Sequence, residues 1–205
     1  IFRLDDFRKS NLNYPVNSID IQKKYTKDPL TPFEFQEKAI DETIKFLGEN
    51  DRGKLIMACG TGKTLTALWI QEKGKYQKIL FLVPSLYLIK QTLSSWVSNK
   101  NDDFEWKCVC SDKTVKKGLK ENYFEEKKSD IFAPVTSDVN EIKTFLKREK
   151  KQVIFCTYHS LPLLKEVFED HNLKGFDITF ADEAHRCVGH EKKIAGLILE
   201  YEVIK

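Results

Sequence analysis

The chain has 205 residues, of which 41% are hydrophobic and 32% charged, the size and balance of one globular domain with some extension. A net charge of +3 gives no bulk electrostatic argument for a nucleic-acid partner. No apolar stretch approaches the ~18 residues needed to span a bilayer, and five cysteines without a C-x-x-C pair argue against a zinc site.

Residues 1–30 are polar, punctuated by Pro15 and Pro29, and read as an N-terminal connector with one short helix near 19–25. The first residue is Ile1 rather than Met, so a fragment or trimmed chain is expected. Residues 33–49 carry a helical pattern in Phe35, Ala39, Ile40, Ile44, Phe46 and Leu47. Lys54, Leu55, Ile56, Met57 and Ala58 form a short apolar run that predicts a buried strand, with Met57 as its last residue packed inward. A helix is expected over 64–70, a strand over 77–83 and a helix over 85–97.

The strand expected over 104–110 places Cys108 and Cys110 on one face, so no bridge joins them. Residues 115–128 are mixed and charged. A helix over 138–150, a strand over 152–157, a helix over 161–171 and a β-prone run over 176–181 follow. Residues 196–201 read as a last helix or a displaced strand. Alternation of this kind predicts an α/β fold, a mostly parallel sheet covered on both faces. Trp69, Trp96 and Trp106 fit element interiors better than a base-stacking platform. The basic runs at Lys116, Lys127 and 147–151 read as solvated helix faces, because acidic residues interleave them.

Two segments carry chemistry. The first is Met57, Ala58, Cys59, Gly60, Thr61, Gly62, Lys63, Thr64. Gly60 and Gly62 allow backbone angles and approaches that a side chain would forbid. Successive N–H groups of such a loop point at phosphates, with Thr61 inside the cradle. Lys63 adds a mobile positive charge for the β- and γ-phosphates, and Thr64 a hydroxyl for Mg²⁺. The N-terminus of the following helix adds to the pull on phosphate. The pattern departs from G-x-x-x-x-G-K-[ST] at Met57, where glycine is usual.

The second segment is Asp182, Glu183, Ala184, His185 at the end of the β-prone run. An aspartate at the carboxyl end of such a strand can hold Mg²⁺ through water. Glu183 beside it can orient or deprotonate an attacking water. His185 lies too far along for phosphate chemistry and is expected to link the site to a neighbouring element. Ligands of open α/β sheets bind outside the carboxyl ends of the strands, so both segments are expected at one edge. ATP and Mg²⁺ are the cofactors these residues call for. That site, the odd cysteine count and the lack of a signal peptide point to a reducing cytoplasm.

With these residues in hand, the chain resembles the first RecA-like motor domain of superfamily-two helicases and translocases with a DEAH motif II. It is most similar to the motors of type I and type ISP restriction enzymes. The resemblance covers roughly residues 31–190 and includes Leu82, Val83, Pro84, Ser85 and Leu86 with Gln91 and Thr92. It also includes 108–112, 135–138, and Thr157, Tyr158, His159 and Ser160, with Arg186 after the DEAH box. It implies a RecA-like three-layer sandwich over 31–205, truncated before a second motor domain.

The resemblance further implies that Lys63, Asp182, Glu183 and His185 belong to the catalytic machinery and that Gln36 reads the adenine edge. Similar proteins place an arginine three residues before that glutamine, where Phe33 stands here, and Gln36 reads equally as a solvent-facing helix residue. Pro84, Ser85 and Thr157 are the candidate contacts to a DNA backbone, and read equally as ordinary strand-end residues. The implied partners are double-stranded DNA, a second RecA-like domain and a nuclease or methyltransferase module, with no membrane. Two other readings stay open. One is an RNA or DNA-repair helicase. The other is an isolated ATP-binding module without appreciable turnover, since an arginine finger is worth ~10³–10⁵ in rate.

Overall fold

The computed structural model describes residues 29–110, 135–170 and 172–184. The expected helix near 19–25, the charged stretch 115–128, the segment 196–201, and His185, Arg186 and Cys187 lie outside the described residues.

Helix α1 spans Glu34–Glu49 and α2 spans Lys63–Lys73. Strand β1 (Lys78–Val83) leads to α3 (Leu86–Asn99) and β2 (Glu105–Val109). A two-residue strand, β3 (Val135–Thr136), precedes α4 (Val139–Leu146). Then come β4 (Gln152–Thr157), a 3₁₀ turn (Tyr158–Ser160), α5 (Leu161–Phe168) and β5 (Ile178–Ala181).

The five strands form one sheet in the order β3-β2-β4-β1-β5, and every pairing is parallel. The two central strands read Lys-Ile-Leu-Phe-Leu-Val and Gln-Val-Ile-Phe-Cys-Thr, near-continuous apolar runs, as a sheet covered on both faces requires. Alternate side chains enter opposite cores. Ile79, Phe81, Val83, Val153 and Phe155 pack with Ile40, Leu68, Ile89, Leu93 and Trp96 from α1, α2 and α3. Leu80, Leu82, Ile154 and Cys156 pack with Ile142, Leu146, Leu164 and Val167 from α4 and α5. This is the expected α/β sandwich. The tryptophans also fall as expected: Trp69 and Trp96 are buried and Trp106 half-buried.

Side chains set the element boundaries. Ser85 caps α3 by accepting from the Leu88 N–H, and Asp138 caps α4 by accepting from the N–H groups of Asn140 and Glu141. At the amino end of the sheet, Asp177 accepts from the N–H groups of Gln77 and Lys78, both at 2.8 Å, locking the start of β5 to β1. Helix α4 stops at Leu146, short of the expected 150, and the basic residues beyond it turn to acidic partners. Lys147 pairs with Asp170, Arg148 and Lys150 with Glu105, and Lys151 with Asp102. That run is a salt-bridged surface beyond the end of α4 rather than the solvated helix face expected.

One expectation fails. Residues 54–58 are not a strand. Leu55 is 44% and Ile56 81% exposed, and Met57 is only half-buried rather than packed inward. An apolar run becomes a strand only when another strand pairs with it, and this segment joins none of the five. Periodicity does not reveal the strand Val135–Thr136, because two residues are too short to show any.

Candidate active site

The glycine loop is folded around its own backbone. The Thr61 hydroxyl donates to the Ala58 carbonyl at 2.7 Å, closing a turn. Gly60 and Gly62 both take left-handed conformations, with φ of 77° and 80°, where a side chain is strained. Gly62 is the N-cap of α2, and the Thr66 N–H bonds back to its carbonyl at 2.9 Å. A Cβ on Gly62 would stand 2.7 Å from Nε2 of Gln36, whereas one on Gly60 would meet nothing within 4 Å. The loop is therefore braced from behind by Gln36 and open to approach at Gly60.

Gln36 itself is 3% exposed. Its Oε1 accepts from the Phe33 N–H and its Nε2 donates to the Thr61 carbonyl, both at 2.8 Å. It is not the solvent-facing helix residue of the alternative reading. Helices α1 and α2 are further joined by an ion pair between Asp41 and Lys73.

Thr64 is tied to the sheet. The indole N–H of Trp96 donates to the Thr64 carbonyl at 2.9 Å. Trp96 is fully buried and stands edge-on to Phe81, Phe155 and Phe180, with ring centroids 5.3, 5.5 and 6.3 Å away. Those three rings come from β1, β4 and β5, so the start of α2 is referenced to the strand that leads to the carboxylates.

At the end of β5 the Asp182 N–H donates to the Leu82 carbonyl at 2.9 Å, extending the β1–β5 ladder by one bond. The buried Tyr158, in the turn after β4, donates its hydroxyl to the Asp182 carbonyl at 2.7 Å. The Asp182 carboxylate accepts from the Glu183 N–H at 3.0 Å. Glu183 has φ of 54°, a left-handed conformation uncommon for a residue with a side chain and frequent at functional sites. Three contacts thus fix the backbone that presents the two carboxylates. Motif spacing identifies Asp182 and Glu183, but Tyr158 and Trp96 as the groups that hold Asp182 and Thr64 emerge only from the fold.

The parallel register aligns the carboxyl ends of three strands: Val83 pairs with Thr157, and Leu82 with Ala181. Pro84 and Ser85 follow β1 at that edge, and Asp182 follows β5. Ser85 uses its hydroxyl on the Leu88 N–H. Thr157 is fully buried, with its hydroxyl 2.8 Å from that of Ser160.

The residues fit a magnesium nucleotide. The left-handed glycines leave the loop backbone approachable, and the Thr64 hydroxyl and Asp182 carboxylate are oxygen donors of the hard kind that Mg²⁺ takes beside phosphate. The cysteines offer no competing chemistry in the core. Burial, with Cys110 nearby, pushes the Cys108 thiol up to about 12, and burial raises Cys156 well above the ordinary range. Cys59, in the loop, is exposed. Among the described residues no helix is long and apolar enough to cross a membrane.

The chain is similar to known restriction enzymes and helicases. The family described as type III restriction enzyme, res subunit, matches residues 29–204. The chain is 30% identical over 177 residues to a subunit of the type I restriction enzyme EcoAI endonuclease of Escherichia coli, covering 83% of this chain and 18% of that protein. It is 30% identical over 159 residues to a probable helicase of African swine fever virus, covering 76% of this chain and 16% of the relative. Among solved structures it superposes on the ATP-dependent type ISP restriction-modification enzyme LlaBIII bound to DNA. That match has a TM-score of 0.72 at 31% identity and covers 95% of this chain and 13% of that one. The chain therefore spans less than a fifth of each of these three proteins.

Proposed function

The chain belongs to the type III restriction enzyme res-subunit family and is a helicase-type RecA-like motor domain, and from that premise we propose that it binds Mg-ATP and helps couple its hydrolysis to movement along double-stranded DNA in a restriction system. The observation that carries the reading is the pairing of a braced glycine loop with a fixed carboxylate pair at the end of β5, joined through the Trp96 ring cluster. The similarity to DNA-bound LlaBIII supports DNA as the track.

Bound Mg-ATP supplies the phosphoanhydride whose cleavage drives the motor. In this reading the loop N–H groups from Gly60 to Lys63 and the Lys63 ammonium hold the phosphates. The Thr64 hydroxyl and Asp182 carboxylate hold the metal, and Glu183 orients the attacking water and accepts its proton. Gln36 reads the adenine edge. One Nε2–H and one Oε1 lone pair remain after its two bonds to the protein, the donor and acceptor that adenine's N7 and N6 amino group require. His185 links the site to a neighbouring element.

Pro84 and Ser85 lie at the edge where a backbone track would run, and backbone contacts suit a motor that ignores sequence. Thr157 belongs to the same proposal with a condition attached: its hydroxyl must leave Ser160 to reach a phosphate. A second RecA-like domain would contribute an arginine, worth ~10³–10⁵ in rate, so this segment alone binds nucleotide and turns it over slowly. A nuclease or methyltransferase module would complete the restriction function.

The test is ATP turnover by the longest native chain on three polymers. Strong stimulation by closed circular duplex DNA supports the reading. Stimulation only by single-stranded DNA or RNA assigns the motor to unwinding instead.

A further inference from the structure

The turn after β4 reaches a strand that β4 does not pair with. The sheet order sets β1 between β4 and β5, yet Tyr158 from the first donates to the Asp182 carbonyl at the end of the last, at 2.7 Å. The tyrosine is 1% exposed and lies in the core cluster that holds Leu80 and Leu82 of β1. It bridges two strand spacings, roughly 10 Å. The atom it holds belongs to the peptide joining Asp182 to Glu183. The N–H of that same peptide bonds to the Asp182 carboxylate at 3.0 Å, and Glu183 on its far side has a left-handed φ of 54°. Tyr158 therefore grips the peptide plane that aims Glu183.

The other end of the turn carries a second bond. Thr157 and Ser160 bracket Tyr158, both fully buried, with their hydroxyls 2.8 Å apart. Thr157 is in register with Val83, the residue before Pro84 and Ser85. The pair thus sits at the edge where the track is proposed to run. Because Thr157 is buried, its hydroxyl meets a phosphate only by turning out of the pair.

We propose that Tyr158 is a positioning residue through which DNA at Thr157 re-aims Glu183. With the hydroxyl pair closed, the turn holds the Asp182–Glu183 peptide in its resting orientation. A backbone phosphate that draws Thr157 out opens the turn, and Tyr158 carries the shift to that peptide. A ligand moves such an element because it binds one of its two states better, and the open pair is the state that offers a phosphate its hydroxyl. This rests on the nucleotide and DNA readings above and extends them to how one reports to the other.

The experiment measures ATP turnover with and without closed circular duplex DNA, beside Mg-ATP affinity, for the longest native chain and its Tyr158→Phe and Ser160→Ala variants. Tyr158→Phe is expected to bind Mg-ATP and to lose about fivefold of the stimulation ratio, the scale of one hydrogen bond. Ser160→Ala, which opens the pair, is expected to raise turnover without DNA and to reach half-maximal stimulation at lower DNA concentration. A merely structural role lowers turnover with and without DNA by one factor and leaves the ratio unchanged. An unchanged ratio in Tyr158→Phe, or wild-type turnover without DNA in Ser160→Ala, overturns the coupling and leaves the motor reading standing. Wild type that turns over ATP at one rate with or without DNA removes the track reading and the coupling together.

Discussion

Trp96 and Thr64, 32 residues apart in the chain, are joined by one hydrogen bond of 2.9 Å from the indole N–H to the carbonyl. The donor is locked by rings from β1, β4 and β5, and the acceptor is the residue expected to carry the magnesium hydroxyl. Packing of the core thereby determines where α2 begins. Trp96→Phe keeps an aromatic ring and removes the donor. It should cost about 1 kcal/mol in urea unfolding, the net worth of one hydrogen bond to a carbonyl that keeps its helical partner, and should weaken Mg-ATP binding as well. Equal ATP affinity in the variant would show that the bond stabilises the fold without positioning Thr64.

The two loop glycines should respond differently to alanine. At Gly60 only the left-handed backbone is penalised, by about 1–2 kcal/mol, since the space is open. At Gly62 the same strain is joined by a clash with the Gln36 amide. Gly62→Ala should therefore destabilise the fold further than Gly60→Ala, as read by urea unfolding. An equal or larger loss at Gly60 would mean that the Gln36 amide yields to the added Cβ.

Tyr158→Phe removes the hydroxyl that holds the Asp182 carbonyl. The expected stability loss is about 1 kcal/mol. Turnover should fall more than nucleotide affinity, because in the proposed function the carboxylates act on metal and water while the glycine loop keeps the phosphates. Steady-state kinetics beside equilibrium binding would read that split.

Asp177 gives a pH prediction. Burial pushes its carboxyl up, but the N–H groups of Lys78 and Gln77 and the nearby Lys174 outweigh burial and hold it below its ordinary value of 3.8. A depressed carboxylate stabilises the fold fully above the unfolded value, and that contribution is lost as pH falls through the folded value. Asp177→Asn should thus cost about 2 kcal/mol near neutrality, on the scale of hydrogen bonds to a charged group. The gap to wild type should narrow as pH falls below 3.8. A gap independent of pH would contradict the role of the charge.

The legible part of the fold was what one apolar run can state about itself. Strand β4 matches its expected span of 152–157, and β1 and β2 differ by a residue at their ends. Residues 54–58 look like a strand by the same criterion and are not one, because pairing is a property of two segments and periodicity describes one. The site divides the same way. Lys63, Thr64, Asp182 and Glu183 stand in local patterns with chemical reasons for their spacing. Tyr158 reaches Asp182 across 24 residues and Trp96 reaches Thr64 across 32; no local pattern encodes either contact. Gln36 is intermediate: its position was legible, while its bracing of Gly62 required the packing of α1 on α2.

Movement along duplex DNA is the central claim, and displacement of a triplex-forming oligonucleotide reads it directly. The longest native chain, with ATP and a linear duplex carrying the third strand, should release that strand. Glu183→Gln should bind ATP normally and release none. Hydrolysis of ATP without release of the third strand, at any placement along the duplex, would contradict the account.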